Sequence, residues 1–319
     1  MSGWDETVKC VTPADRYRES LRRVVAGGRH DGDVVDAVGL DGRLQGSDAV
    51  EDASILDRGR SPGAPSRGSL FSELSQPGGM ADAVERGSDE KPTAVAADLL
   101  VAIRTGDDPD AHLAALAGYD HDDLAAVRDD RERALAFWTN LYNAGTRLLL
   151  ERRPQLYESP LRFVRFFRTD AVTVAGHGLG LDAIEQGILR GSRSKYGLGY
   201  LPRLPWPFER RYRVEPDPRV HFALNCGAES CPPIRAYDPD RVDDQLDVAT
   251  ASYLAETVDY DPAAGVARLP RLFLWYRGDF GGRGGIRRVL REYDAIPADA
   301  DPKFRYRSWD WSRAAGKFA

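Results

Sequence analysis

Apolar residues recur at helical spacing beyond residue 90 and thin out before it. Val95, Leu99 and Ile103 fall four apart, and Gly106 with Pro109 closes the run, which predicts a helix starting near Thr93. A longer helix is predicted over 124–151. Phe137, Leu141, Ala144 and Leu148 share one of its faces, while Asn140, Asn143 and Arg147 share another. Residues 161–167 read as a packing helix, 171–175 as a short strand and 177–180 as a turn. Residues 181–190 then read as a helix striped by Leu181, Ile184 and Ile188. A short buried strand is predicted over 220–224, and an amphipathic helix over 240–258 through Val242, Leu246, Ala249 and Leu254. An aromatic segment at 270–276 leads to a glycine-rich stretch, 281–285, suited to a hinge or rim. The last helix covers 286–293, and Trp309 and Trp311 anchor the tail. Long helices with short strands in no regular alternation predict an α+β fold, a mostly helical single domain for which a cysteine-protease-like arrangement is one candidate.

Residues 1–90 read as a polar leader, loosely packed or partly disordered, and 91–319 as the folded domain. A short helix through Tyr17, Leu21, Val24 and Val25 opens the leader, but 27–69 is dense in Gly, Asp, Ser and Pro. Such a stretch has little apolar surface to offset its ordering entropy. At 42% hydrophobic and 29% charged residues the composition is ordinary for a soluble protein. The net charge of −6 comes from the first hundred residues, with 18 acidic against 12 basic side chains; the remainder is balanced. That distribution disfavours a nucleic-acid partner. No apolar run approaches the roughly 20 residues needed to span a bilayer, and the N-terminus lacks a basic segment followed by an apolar one, so neither a membrane partner nor a secretory signal is expected. Three cysteines make no disulfide framework, which points to the cytoplasm, and Cys10 in the leader reads as incidental.

Candidate chemistry concentrates at 221–233, His-Phe-Ala-Leu-Asn-Cys-Gly-Ala-Glu-Ser-Cys-Pro-Pro, which holds two of three cysteines and one of five histidines. Cys231 is the preferred nucleophile, because Pro232 suits a first helical turn whose free N–H groups would stabilise a thiolate. His221 is the candidate base. Glu229, Asn140 or Asn143 is the candidate to orient its ring, and backbone N–H groups around Cys231 would form an oxyanion site. Asparagines inside an apolar helix need partners if buried, and backbone groups of a neighbouring loop would serve equally well. Glu185 beside the apolar stripe of 181–190 likewise needs a partner, for which Arg190 or a histidine is suited. His177 lies in a glycine-flanked turn, where surface and catalytic roles are both open.

Three functions fit these residues. The first is a cysteine-dependent hydrolase or acyltransferase acting on a small molecule or peptide without a cofactor. The second is a noncatalytic binding or scaffolding module. The third is a metal site made by His221, Cys226 and Cys231, but Cys-x4-Cys is looser than a zinc knuckle and no fourth ligand is evident nearby, so no bound metal is expected. A disulfide between Cys226 and Cys231 is also open.

Three landmarks make the chain resemble the family known as domain of unknown function 547. Residues 136–144 resemble its Phe-Trp-x-Asn-x-Tyr-Asn helix, 181–190 its Leu-x-x-Ile-Glu-His-x-Ile-Leu-Arg segment, and 221–233 its His-x-x-Leu-Asn-Cys-x-x-x-Ser-Cys-Pro segment. The likeness extends over about 95–315, including 274–280 and the Asp310-Trp311 tail. It implies a shared fold and a shared site without supplying a reaction. Gln186 stands where the family usually has histidine, so an activity needing that histidine would require His177 to replace it in space.

Overall fold

A computed structural model describes residues 91–158, 160–314 and 317–318; the leader, its predicted helix and Cys10 lie outside the described residues. Helix dominates, with a few short strands in small sheets, and the fold is α+β. Helices α1 (Pro92–Thr105), α2 (Asp110–Gly118) and α3 (Ala125–Asp129) lead into α4 (Arg131–Arg152). The side chain of Asp130 accepts the Arg133 N–H at 2.9 Å and so caps α4.

Helix α4 is the axis of the larger core. Every residue from 134 to 150 except Arg147 is buried, so the polar face carrying Asn140 and Asn143 is enclosed along with the apolar one. A helix covered on all sides must satisfy its polar side chains within the protein. Helix α5 (Pro160–Phe166) is followed by a hairpin of β1 (Asp170–Val174) and β2 (His177–Gly180). The predicted turn at 177–180 is therefore a strand. The reversal comes two residues earlier, where Ala175 and Gly176 both take positive φ, as a twisted two-residue hairpin requires.

Residues 183–189 form a π-helical segment, Ala183–Leu189, where an α-helix was expected. Its widened turn has the Arg190 N–H donating to the Glu185 carbonyl at 2.9 Å. Gly187 in that turn faces the Glu209 carboxylate so closely that a Cβ would collide with it. The expected strand at 220–224 is a 3-10 turn, Pro218–Phe222, following the short helix α6 (Pro207–Tyr212). Asp217 caps the turn by accepting the Arg219 N–H at 2.9 Å, and Pro218 starts it. Together they override the β preference of Val220 and Phe222.

Helix α7 (Val242–Thr257) bridges two apolar clusters, Val242 and Leu246 lying in the α4 cluster and Tyr253 and Leu254 in a C-terminal one. The C-terminal cluster packs under β3 (Asp259–Asp261), β4 (Val266–Leu269) and β5 (Lys303–Tyr306). Strands β3 and β4 are antiparallel, β4 and β5 parallel. A short helix α8 (Leu272–Trp275) and helix α9 (Gly282–Glu292) complete it. The glycines of 281–285 thus open a helix and do not make a free loop. Gly281 has φ of 74°, and a Cβ on Gly285 would overlap the Phe280 carbonyl. Among the described residues no helix is long and apolar enough to cross a membrane.

Candidate active site

The 3-10 turn positions the imidazole. Val220 packs into the α4 cluster and Phe222 into the C-terminal one, which leaves His221 at the seam between them. Its Nε2 lies 2.9 Å from Asp279 Oδ2, and Asp279 also accepts from Arg190 Nε at 2.6 Å and Nη2 at 3.1 Å. Arg190 donates as well to Gln186 Oε1. The Tyr276 ring stacks on His221 with centroids 3.9 Å apart, and the Arg190 guanidinium lies 4.6 Å from that ring's centroid.

Burial pushes the His221 imidazole below its ordinary range, outweighing the attraction of Asp279. Burial alone would raise the Asp279 carboxyl, but hydrogen bonds from His221 and Arg190 outweigh it and hold that group below the usual carboxylate range. The consistent state is a neutral imidazole whose Nε2–H donates to the carboxylate, with the lone pair on Nδ1. Among the described residues Nδ1 has no hydrogen-bond partner.

The sulfurs come from a loop that follows directly. Asn143 donates to the Ala223 carbonyl at 3.0 Å and accepts the Asn225 N–H at 2.9 Å. Asn225 then spans the loop, accepting the Gly227 N–H at 2.8 Å and donating to the Pro232 carbonyl at 2.6 Å. The tail closes the other side, with the Glu229 N–H on the Ser312 carbonyl and the Asp310 N–H on Ser230 Oγ, both at 2.9 Å. Cys226 and Cys231 are free thiols whose sulfurs lie 2.9 Å apart. The Cys226 N–H also points at Cys231 Sγ, at 3.3 Å. Burial raises the Cys231 thiol, but hydrogen bonds from the Cys226 side chain and from the backbone at Cys226 and Ala228 outweigh it and hold Cys231 below the ordinary thiol range. For Cys226 the hydrogen bond to Cys231 and burial act together and push it well up.

His221, Glu185, Gln186, Cys226 and Cys231 all line one cavity of about 410 Å³. Its wall is aromatic, with Phe163, Phe167, Trp275, Trp309 and Trp311. The cation in its lining, Lys195, is paired with Asp182 at 2.5 Å. Glu185 accepts from the Tyr276 hydroxyl at 2.7 Å and from the Tyr142 hydroxyl at 3.1 Å, so its expected partner is a tyrosine pair, not Arg190 or a histidine.

Several sequence-predicted residues lie elsewhere. Asn140 and Asn143 are fully buried and bind backbone; Asn140 donates to the Tyr237 carbonyl at 2.8 Å and accepts its N–H at 2.9 Å. Neither lines the cavity, and neither touches the imidazole. Glu229 is half exposed and pairs with Lys317 at 3.1 Å. No helix starts at Pro232, and the Cys231 N–H is taken by the Ala228 carbonyl at 3.0 Å, so the helix-start and oxyanion assignments for that segment fail. His177 packs against Phe208 and Trp206 away from the cavity and does not replace the histidine absent at Gln186. Among the described residues no three His, Cys, Asp or Glu side chains cluster to hold a metal, and no hydrogen bond joins a sulfur to an imidazole.

Asp279 and Asn225 are the members that reading the sequence missed. Asp279 is 58 residues from His221 and carries no local signal beyond its place in a segment of family likeness. Asn225 adjoins Cys226 in the cysteine motif, and that adjacency is the local signal for it. No curated protein and no solved structure matches the chain significantly. Residues 128–254, which hold α4, the π-helical turn, the cysteine loop and most of α7, match the model of the family described as protein of unknown function, DUF547, and the three landmark motifs all fall within that stretch.

Proposed function

We propose that this site performs thiol-dependent acyl transfer or amide hydrolysis, with Cys231 as nucleophile, His221 as base and Asp279 as the group that orients the imidazole. The observation that carries the reading is that a buried Cys231 thiol and an Asp279-anchored, neutral His221 line one cavity. The three side chains make a set of the cysteine-protease type, recognised by roles and not by order in the chain.

In the reaction, Nδ1 of His221 takes the Cys231 proton and the thiolate attacks the acyl carbon. The imidazolium returns that proton to the departing amine or alcohol, leaving a thioester on Cys231. Water or a second acceptor, deprotonated by His221, then releases the acyl group. Asp279 stabilises the imidazolium while Arg190 keeps the carboxylate ionised. Catalytic hydrogen bonds often shorten only when substrate fills a site, which suits the open relation of sulfur and imidazole. An aromatic wall without an unpaired cation favours an apolar acyl group over a phosphate or carboxylate. The reading places this chemistry in one α+β domain over 91–319, with 1–90 as a leader, and in a reducing cytoplasm that keeps both sulfurs as thiols.

The test is thiol labelling across pH, together with mass detection of an acyl adduct after incubation with p-nitrophenyl esters of apolar acids. Cys231 should react at lower pH than an ordinary thiol, the adduct should sit on Cys231, and His221→Ala should slow its formation. A Cys231 that titrates near about 8.5 and ignores His221→Ala defeats the proposal.

A further inference from the structure

The two sulfurs of the loop ask for an explanation that a single nucleophile does not supply. Acyl transfer uses Cys231 and has no task for Cys226, yet Cys226 lines the same cavity with its sulfur 2.9 Å from its neighbour. A disulfide needs a separation of about 2.0 Å, so bonding requires a closure of less than about 1 Å. The loop suits so small a ring. Gly227 turns at φ of 90°, and the Cys231 N–H already folds back on Ala228. Asn225 and the tail hold the loop on either side, so the closure needs no wider rearrangement of the chain.

We infer that Cys226 and Cys231 are a reversible oxidation site, which a hydroperoxide entering the cleft converts to an intrachain disulfide. The sulfur of Cys231 attacks the near oxygen of the peroxide and the O–O bond breaks. Cys231 becomes a sulfenic acid, and the departing oxygen leaves as an alcohol, or as water from hydrogen peroxide, taking the thiol proton. The Cys226 sulfur then attacks the sulfenic sulfur; the S–S bond forms and the sulfenic oxygen leaves as water with the Cys226 proton. Two thiols lose two electrons and the peroxide gains them. A dithiol reductant reverses the change by exchange.

The division of labour follows the environments. Cys231 is the thiol held below its ordinary range and reacts first. Cys226 is held protonated by its contact with Cys231 and by burial, and the larger of these, the contact, is lost once Cys231 carries an oxygen. Oxidation would also remove the proposed nucleophile, so the disulfide is an inactive form of the site. That consequence rests on the acyl-transfer reading, whereas the oxidation itself does not.

Both cysteines fall in one tryptic peptide, residues 220–235, which excludes Cys10 and makes the test direct. The full chain is treated with a small excess of hydrogen peroxide, alkylated with iodoacetamide and digested. The expected peptide is lighter by two hydrogens and carries no alkyl group, while dithiothreitol before alkylation restores both. In Cys226→Ser, dimedone should capture a sulfenic acid on Cys231; in Cys231→Ser, Cys226 should remain fully alkylatable. A wild-type peptide that still takes two alkyl groups, or a Cys231 that passes to sulfinic acid with no disulfide, overturns the inference. Acyl-adduct formation is read on the same samples. A disulfide without any acyl chemistry in the reduced protein sinks the enzyme reading alone, and acyl chemistry without a disulfide sinks the oxidation site alone.

Discussion

The two sides of the cleft are held by different forces. On the sulfur side, neutral amides pin backbone: Asn143 and Asn225 each accept one N–H and donate to one carbonyl around the cysteine loop. On the imidazole side, charges pin side chains, with Arg190 and His221 both on Asp279. An amide bridge fixes the path of a chain without responding to pH. A buried carboxylate held by Arg190 fixes a ring and pulls against the burial that keeps it neutral, so this side responds to pH. The imidazole is thus oriented by its anchor and kept neutral by burial, while the thiols are placed by theirs.

Breaking the charged side should have the largest effect. Asp279→Ala leaves Arg190 buried without its partner, and removal of one member of such a pair costs about 3–5 kcal/mol. Urea unfolding should show that loss, and Asp279→Asn, which keeps the side-chain shape and one of the two accepting oxygens, should lose less. Equal stability of wild type and Asp279→Ala would mean that the anchor is not closed in solution.

The neutral side should yield somewhat less. Asn143→Ala strands the Ala223 carbonyl and the Asn225 N–H in the interior, which costs about 2–4 kcal/mol. Because no charge is involved, the cost should be the same at pH 5 and pH 8. A cost that varies with pH would contradict the division drawn between the two sides.

Acid should separate the sides further. The folded His221 has a lowered pKa, so below about 6.5 the unfolded chain takes up a proton that the folded protein declines. Stability therefore falls as pH drops below that value and levels off once the folded imidazole also protonates. Asp279 has a depressed folded pKa, so its contribution is complete above about 3.9 and is lost as pH falls through the folded value. Stability curves should fall in both windows, and His221→Gln should flatten the upper one.

The smallest effect belongs to Glu229. Its bond to Lys317 is exposed, and Glu229→Gln should change stability by less than about 0.5 kcal/mol and leave acyl labelling unchanged. A large loss of labelling would return Glu229 to the site.

Long helices were readable because their pattern repeats over several turns; α7 stands where Val242 to Leu254 placed it and α4 where Phe137 to Leu148 did, although the single helix expected over 124–151 is broken at Asp130, which is extended and caps α4. Short elements were not. Val220 to Leu224 has the composition of a strand, but a single cap at Asp217 and a proline decide a segment of that length. The π-helical turn was hidden for a related reason, since its sequence fits an α-helix and its widened turn belongs to a segment packed against Glu209.

The sequence by itself determined the α+β class, the helices that build the larger core and the identity of the two thiols and one imidazole, because periodicity and clustered chemistry are local properties. The tertiary structure alone decided which polar groups work together. It sent Asn140 and Asn143 to backbone, brought Asp279 to His221 across 58 residues, and gave Glu185 to two tyrosines. The physical reason is that a buried polar group must be satisfied by whatever the fold places beside it, and those neighbours come from segments remote in the chain.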